Sequence, residues 1–186
     1  MLAFPRETKN LNIRCAQRIT MLAVKDSMTL IHLAKTSLLE TSCDYFKTVI
    51  IPKLAYKEVM KGLKHGYVDA KVVEKVAEMK KLTVLEVKVK ELIRKANEFN
   101  IQGGEAEGVA LYWQEKADIL ATDDDNVRKK GFLLGIRAVG TPAIMLKLHR
   151  EGLINSEKFR KAVEELRTIG WFSNGVLDMV LMEGKR

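Results

Sequence analysis

The sequence predicts an α/β fold, in which a parallel five-stranded sheet is covered by helices on both faces as a three-layer α/β/α sandwich. Two observations support this prediction. Short runs of aliphatic and β-branched residues recur along the chain, and segments with the roughly 3.6-residue period of amphipathic helices separate them. Strands that alternate with helices form parallel sheets, because each helix carries the chain back to the edge where the next strand begins. Since no internal repeat or Pro/Gly-rich linker divides the chain, one main domain is expected at residues 20–186.

Five segments have the composition of buried strands. They are residues 21–24, 48–51, 82–87, 119–121 and 136–139. Helical patterns lie between and after them, at residues 27–34, 54–60, 68–79, 90–99, 105–116, 142–150, 156–166 and 174–182. We expect Ser27 to be the N-cap of the first helix, and Pro52 to end the second strand.

The first 19 residues differ from the rest of the chain. They are basic and show no strong periodicity, so they predict an N-terminal extension that is either a loose arm or a short amphipathic helix. Met21 is an alternative start of translation, which would remove this segment. The basic residues of the extension are Arg6, Lys9, Arg14 and Arg18.

Composition excludes several classes of protein. The 186 residues are 47% hydrophobic and 30% charged, which is typical of a soluble globular protein. Cys15 and Cys43 lack the spacing of metal ligands, and the three histidines are scattered, so a zinc site is not expected. No apolar run approaches the roughly 20 residues that span a bilayer. We therefore expect a cytoplasmic protein with reduced thiols.

The charge balance is basic. Lys and Arg total 32 against 24 Asp and Glu, which gives a formal net charge of +8. This excess fits a polyanionic partner such as nucleic acid, and it fits plain solubility equally well.

Acidic residues follow the strands or lie near them. Asp26 comes directly after the first strand, and the run from Asp123 to Asp125 comes directly after the fourth. Glu105 begins the helix that leads into the fourth strand, and Glu58 lies on an earlier helix. In doubly wound sheets, ligands bind beyond the carboxyl ends of the strands, where the strand order reverses. If the first and fourth strands are neighbours, these carboxylates meet in one crevice.

Crowded carboxylates repel one another, and a divalent cation offsets that repulsion. Mg²⁺ and Mn²⁺ take oxygen ligands and can activate water for attack on a phosphodiester. The sequence therefore predicts a Mg²⁺- or Mn²⁺-dependent nuclease. It contains neither a Gly-x-Gly-x-x-Gly motif after the first strand nor a phosphate-binding Gly-Lys-Ser/Thr loop, which argues against the common nucleotide-binding folds.

Each carboxylate also has a structural interpretation. Asp26 is a plausible turn or helix-start residue, and the three aspartates are plausible helix caps. Glu105 sits where an acid favours the helix dipole, and Glu107 competes with it for the same role. Glu58 is the weakest candidate, because a glutamate on an amphipathic helix usually faces solvent.

Five segments, in this order, make the chain resemble the PIN-domain ribonucleases and, within them, the VapC-like prokaryotic branch. They are VKDSMTLIHLAK at 24–35, IIPKLAYKEV at 50–59, GGEAEGVALY at 103–112, ILATDDDNVRKKG at 119–131 and GTPAIMLKLHREGLI at 140–154. The helix that ends in LRTIGWFS at 166–173 continues the resemblance, which covers roughly residues 20 to 182.

The resemblance implies a parallel α/β/α sandwich and metal-dependent hydrolysis of RNA. It places the first family acid at Asp26, with Ser27 in a small-hydroxyl position. It also implies a toxin that is held silent by an antitoxin protein, and a homodimer. The remaining family positions fall on Glu58, Glu105, Thr122 and Asp124, with Asp123 as an alternative or additional metal ligand.

Two features depart from the family pattern. The third acid is often Asp in the family, and Glu105 is one carbon longer. The N-terminal extension precedes a strand that usually begins almost at the initiator methionine.

We therefore predict an endoribonuclease that uses Mg²⁺ or Mn²⁺. The alternative is a catalytically silent PIN-like module that binds RNA or protein. Two other metal-dependent α/β folds fit less well. A haloacid-dehalogenase-type enzyme requires a second aspartate where Met28 stands, and a receiver requires one where Val87 and Lys88 stand.

Overall fold

The computed structural model describes residues 21–185, and the predicted N-terminal extension lies outside them. In chain order the elements are β1 (Met21–Lys25), α1 (Ser27–Lys35), α2 (Leu39–Phe46), β2 (Lys47–Pro52), α3 (Lys53–Lys64), α4 (Val68–Glu78), β3 (Thr83–Leu85), α5 (Lys90–Glu98), α6 (Gly103–Glu115), β4 (Ile119–Ala121), α7 (Asp125–Leu134), β5 (Ala138–Val139), α8 (Thr141–Arg150), α9 (Ser156–Ile169) and α10 (Asn174–Glu183).

The five strands form one parallel sheet in the order β3-β2-β1-β4-β5. The central strand β1 pairs with β2 on one side and with β4 on the other. The chain thus builds the sheet outward from β1 to β3, and then returns to add β4 and β5 on the opposite side. The strand order reverses between β1 and β4, and the last pair in their register is Lys25 with Ala121. This confirms the predicted sheet and places the two loops of interest side by side.

Helices cover both faces of the sheet, as predicted. Ala23 and Ile51 belong to a core that α1, α2, α3, α4, α8, α9 and α10 complete. Val24 and Leu120 belong to a second core, on the other face, together with α5, α6 and α7. Because successive side chains of a strand point to opposite faces, a strand covered on both sides has to be apolar throughout. The aliphatic runs in the sequence have this cause.

Two helices were not predicted. In α2, the residues buried at helical spacing are Leu39, Cys43 and Phe46, but Thr, Ser and Asp between them have weak helix propensity. In α7, a glycine occupies the middle of the helix, because a Cβ at Gly131 would lie 3.1 Å from the carbonyl oxygen of Ile136. Phe132 is 95% exposed in this helix, which obscures its apolar period. Tertiary contacts therefore form these helices against their local composition.

The outer strands are shorter than predicted. β3 covers Thr83–Leu85 instead of 82–87, and β5 covers only Ala138–Val139. Each pairs with a single neighbour at an edge of the sheet. Among the helices of residues 21–185, none has both the length and the apolar composition that a membrane crossing requires.

Candidate active site

Asp26 occupies the boundary between β1 and α1, at the point where the strand order reverses. Its backbone N–H donates to the carbonyl oxygen of Ala121 at the end of β4 (3.1 Å). Its Oδ1 accepts a hydrogen bond from the backbone N–H of Thr29 (2.7 Å), so Asp26 is the N-cap of α1. The prediction that Ser27 caps this helix was wrong, because Asp26 has the extended backbone of a capping residue and Ser27 is already helical.

The carboxyl group of Asp26 is buried, with only 6% of the residue exposed. Burial raises the pKa of Asp26 from its ordinary 3.8 to about 6, because a carboxylate loses hydration in the interior. Hydrogen bonding with Thr122 and with the backbone of Thr29 acts in the opposite direction, and the neighbouring charge of Asp123 raises the pKa further. Asp26 is thus an acid close to Thr122 and Asp123, and the hydrogen bonds to its ionised form do not fully offset the loss of hydration.

The loop after β4 holds its three polar residues in different environments. Thr122 is buried, and its backbone N–H donates to the carbonyl oxygen of Val139 (2.9 Å). The hydroxyl oxygen of Thr122 accepts from the backbone N–H of Asp124 (3.1 Å). Asp124 is half-buried and caps α7, since its Oδ1 accepts from the N–H of Val127 (2.7 Å). The predicted capping role therefore falls on Asp124.

Asp123 is turned away from this loop into the protein interior, with 2% exposure. Its Oδ1 accepts from the backbone N–H of Thr141 (2.6 Å), and its Oδ2 accepts from the hydroxyl of the same residue. Nδ1 of His32 lies 2.8 Å from Oδ2, and both side chains are almost fully buried. The carboxyl group of Asp123 consequently has a partner at each oxygen and ties the loop to α1 and α8.

Sequence reasoning missed the residues around Asp123. His32 and Asp123 are 91 positions apart, so no local spacing connects them. Trp171, after α9, donates from Nε1 to the backbone carbonyl oxygen of Asp123 (3.4 Å). The signal that was available is the Gly140-Thr141 pair, which opens the last segment of the family resemblance. A Cβ at Gly140 would lie 2.8 Å from Nη1 of Arg128 and 3.1 Å from Oδ1 of Asp123, so a glycine before the threonine avoids this crowding.

Glu58 contacts Ser27, the residue that follows Asp26. The hydroxyl of Ser27 donates to Oε2 of Glu58 (3.2 Å). A Cβ at Gly104 would lie 3.1 Å from the same oxygen, so the carboxylate of Glu58 lies against the first turn of α6. Glu58 therefore contacts two elements of the crevice, although the residue itself is exposed.

Glu105 lies on the same first turn of α6. Its Oε2 is 3.7 Å from the position that a Cβ on Gly103 would occupy, so its side chain folds back toward the start of the helix. Glu107 has a separate structural contact, because its Oε2 accepts from the backbone N–H of Leu54 (3.1 Å) in the first turn of α3. Of the two glutamates, Glu107 is therefore the one that is hydrogen-bonded to another helix.

Asp26 interacts with Thr122 across the β1–β4 boundary, and Ser27, the residue that follows Asp26, contacts Glu58. Glu105 joins them only through the first turn of α6. Within residues 21–185, no group of three or more His, Cys, Asp or Glu side chains is arranged to hold a metal ion. The structure thus brings these residues to one edge of the sheet without closing them around a common point.

The donor atoms at this edge fit a hard divalent cation. The carboxylates of Asp26, Asp124, Glu58 and Glu105 and the hydroxyl of Thr122 offer oxygen alone, which Mg²⁺ and Mn²⁺ prefer. The only imidazole in the network, that of His32, is bonded to Asp123. A buried carboxyl group with a raised pKa, such as that of Asp26, is also one that a cation would stabilise.

The fold and this edge define a class of protein: a doubly wound α/β domain with acidic side chains at the reversal of its strand order. A family model described as a PIN domain matches residues 22–184. The chain belongs to the PIN-domain family, whose members are usually nucleases. Comparison with curated proteins and with solved structures gave no significant match.

Proposed function

We propose that this PIN-domain protein is a metal-dependent endoribonuclease that hydrolyses RNA phosphodiester bonds with Mg²⁺ or Mn²⁺. One observation carries the proposal: the buried carboxyl group of Asp26 lies at the reversal of the strand order, beside Thr122, and the hydroxyl of the next residue, Ser27, is bonded to Glu58. Open α/β sheets bind their ligands at this place. A carboxyl group buried there, without a basic partner among the described ion pairs, supports a cation site.

Asp26, Asp124 and Glu105 would hold the cation. Asp124 is assigned in preference to Asp123, because both oxygens of Asp123 already accept hydrogen bonds inside the protein. When bound, Mg²⁺ or Mn²⁺ lowers the pKa of water and neutralises charge on the phosphate.

The remaining site residues act on water and on the shape of the site. Glu58 would accept a proton from the attacking water, or orient that water, because its carboxylate is exposed and already held by Ser27. Thr122 fixes the backbone of Asp124 through its hydroxyl oxygen, and thereby the direction of the Asp124 side chain. The net charge of +8 favours a polyanionic substrate and predicts an affinity that falls with salt.

Cleavage of RNA by purified protein tests the proposal. Single-stranded and structured RNA would be incubated with Mn²⁺, with Mg²⁺ or with a chelator. Asp26→Asn and Glu105→Gln are expected to abolish cleavage. Glu107→Gln is a matched control, since it removes the same charge from the same helix at a residue bound to the start of α3.

Three outcomes would refute parts of this proposal. Cleavage without metal would contradict the cation, and full activity of Asp26→Asn would contradict the site. RNA binding by every variant without any cleavage would instead establish the alternative, a catalytically silent binding module.

The toxin role, the antitoxin partner and the homodimer are proposals of a second order, which follow from the family resemblance. Expression of the protein alone is expected to arrest bacterial growth, whereas Asp26→Asn is not. Equal growth of both strains, at equal protein levels, would contradict the toxin role. Sedimentation of the purified protein would measure the oligomeric state.

A further inference from the structure

Trp171 is an exposed aromatic residue beside the candidate active site. It lies in the short connection between α9 and α10, and 53% of its surface is exposed. Its Nε1 donates to the backbone carbonyl oxygen of Asp123 (3.4 Å), so the indole is attached to the loop between Thr122 and Asp124. An exposed tryptophan is costly in a folded protein, because its large apolar surface stays in water.

Two contacts limit the orientation of the Trp171 ring. Its centroid is 5.9 Å from that of His32, with a tilted geometry, and His32 is itself packed against Phe172 at 5.4 Å. His32 is buried and bonded to Asp123, so it forms a fixed support. The hydrogen bond at Nε1 and the contact with His32 together restrict the indole, so an incoming ligand would meet a surface that is ordered in advance.

We infer that Trp171 is a stacking platform for an unpaired nucleobase next to the scissile phosphate. This inference rests on the proposed function and deepens it, because it assigns a residue that would bind a base of the RNA substrate. Aromatic side chains bind single-stranded nucleic acid by stacking on bases, which duplex RNA keeps stacked inside its helix. We assign an RNA base as the ligand of Trp171 for two reasons. The indole is bonded to the loop that carries Asp124, and the protein has a net positive charge.

The two tryptophans of the chain allow a direct measurement. Trp113 is half-buried, its Nε1 donates to the carbonyl oxygen of Leu134 (3.0 Å), and Lys95 lies over its ring. Trp113→Phe therefore leaves Trp171 as the sole indole, and Asp26→Asn keeps the RNA uncut. In this double variant, titration with a single-stranded RNA of about 8 nucleotides is expected to quench the fluorescence of Trp171. A duplex of the same length is expected to quench it far less.

Substitutions at position 171 separate stacking from structural support. Trp171→Ala is expected to weaken binding of the single-stranded RNA by roughly 5- to 150-fold, the range that one stacked base contributes. Trp171→Phe keeps an aromatic face and loses the Nε1 donor. It is expected to bind RNA less tightly than the parent, because the ring is no longer held at Nε1, but clearly more tightly than the alanine variant. If the phenylalanine variant loses as much affinity as the alanine variant, the role is structural and the inference fails.

The outcomes distinguish this inference from the proposed function. The platform inference would fail, and the nuclease proposal would stand, if the protein cleaves RNA with metal while RNA leaves the Trp171 fluorescence unchanged and Trp171→Ala binds RNA as tightly as the parent. Absence of both RNA binding and cleavage in the parent protein would overturn the nuclease, and the platform with it. A series of oligonucleotides, each with one abasic site at a different position, would locate the stacked base. Only the oligonucleotide that lacks this base is expected to leave the Trp171 fluorescence unquenched.

Discussion

Asp26→Asn is expected to change the pH dependence of folding as well as activity. Burial raises the pKa of Asp26 from 3.8 to about 6, so the folded protein binds this proton more tightly than the unfolded chain. The stability that the neutral acid contributes is fully present below its unfolded pKa of 3.8, and it is lost as the pH rises through about 6. The shift corresponds to about 3 kcal/mol. Solvent does not screen this effect on the free energy of unfolding, because Asp26 is almost fully buried.

Asparagine is the appropriate replacement because it has the same shape and no charge. Its amide oxygen can still accept from the N–H of Thr29, so the cap of α1 is kept. The free energy of unfolding would be measured with urea, in the presence of a chelator, from about pH 4 to about pH 7.5. The variant and the parent are expected to be similar at the acid end, and the variant is expected to be more stable by up to about 3 kcal/mol at the neutral end.

A matched control has the opposite sign. The neighbouring guanidinium of Arg128 lowers the pKa of the exposed Asp125, so this carboxyl group stabilises the fold above its unfolded pKa and the effect is lost as the pH falls. Asp125→Asn is therefore expected to be slightly less stable than the parent at neutral pH. A stability difference between Asp26→Asn and the parent that stays constant across the pH range would refute the reasoning.

A bound cation should offset the loss of stability that the ionised carboxylate of Asp26 causes at neutral pH. Mn²⁺ at about 100 times its dissociation constant stabilises a folded protein by about 2.7 kcal/mol if it binds only the native state. The parent should gain this stability and Asp26→Asn should not. An equal gain in both proteins would locate the cation elsewhere.

Three other substitutions test the packing around the site. Asp123→Asn replaces one acceptor oxygen with an NH2 donor, so at least one of the buried donors of His32 and Thr141 loses its acceptor. The expected cost is roughly 1–3 kcal/mol in urea denaturation, and wild-type stability would contradict the anchoring role. Gly104→Ala places a Cβ 3.1 Å from Oε2 of Glu58 and is expected to reduce cleavage more than stability; unchanged kcat would show that Glu58 has room to move. Lys25 is buried, and its ammonium group contacts the hydroxyl of Ser42 in α2. Because burial lowers the pKa of Lys25, Lys25→Met is expected to raise the free energy of unfolding by roughly 1 kcal/mol or more, and by more at lower pH. A lower free energy of unfolding would mean that the contact with Ser42 outweighs the cost of burying the lysine.

Much of the fold could be predicted from local pattern. The runs at β1, β2 and β4 are apolar because both faces of a parallel strand are covered, and this leaves a mark in any short window of sequence. The helices α2 and α7 left no such mark. Cys43 and Phe46 define the inner face of α2 only once the sheet is present to cover them.

The candidate site divides in the same way. The sequence alone determined that Asp26 and Thr122 follow strands, and the pairing of β1 with β4 then made them neighbours. Only the tertiary structure decided that Asp123 turns inward to His32 while Asp124 caps α7. Which residues follow a strand is a local property of the sequence, and the hydrophobic pattern reveals it. The direction of a side chain in a loop depends on hydrogen-bond partners that lie far away in the sequence, and these partners exist only in the folded protein.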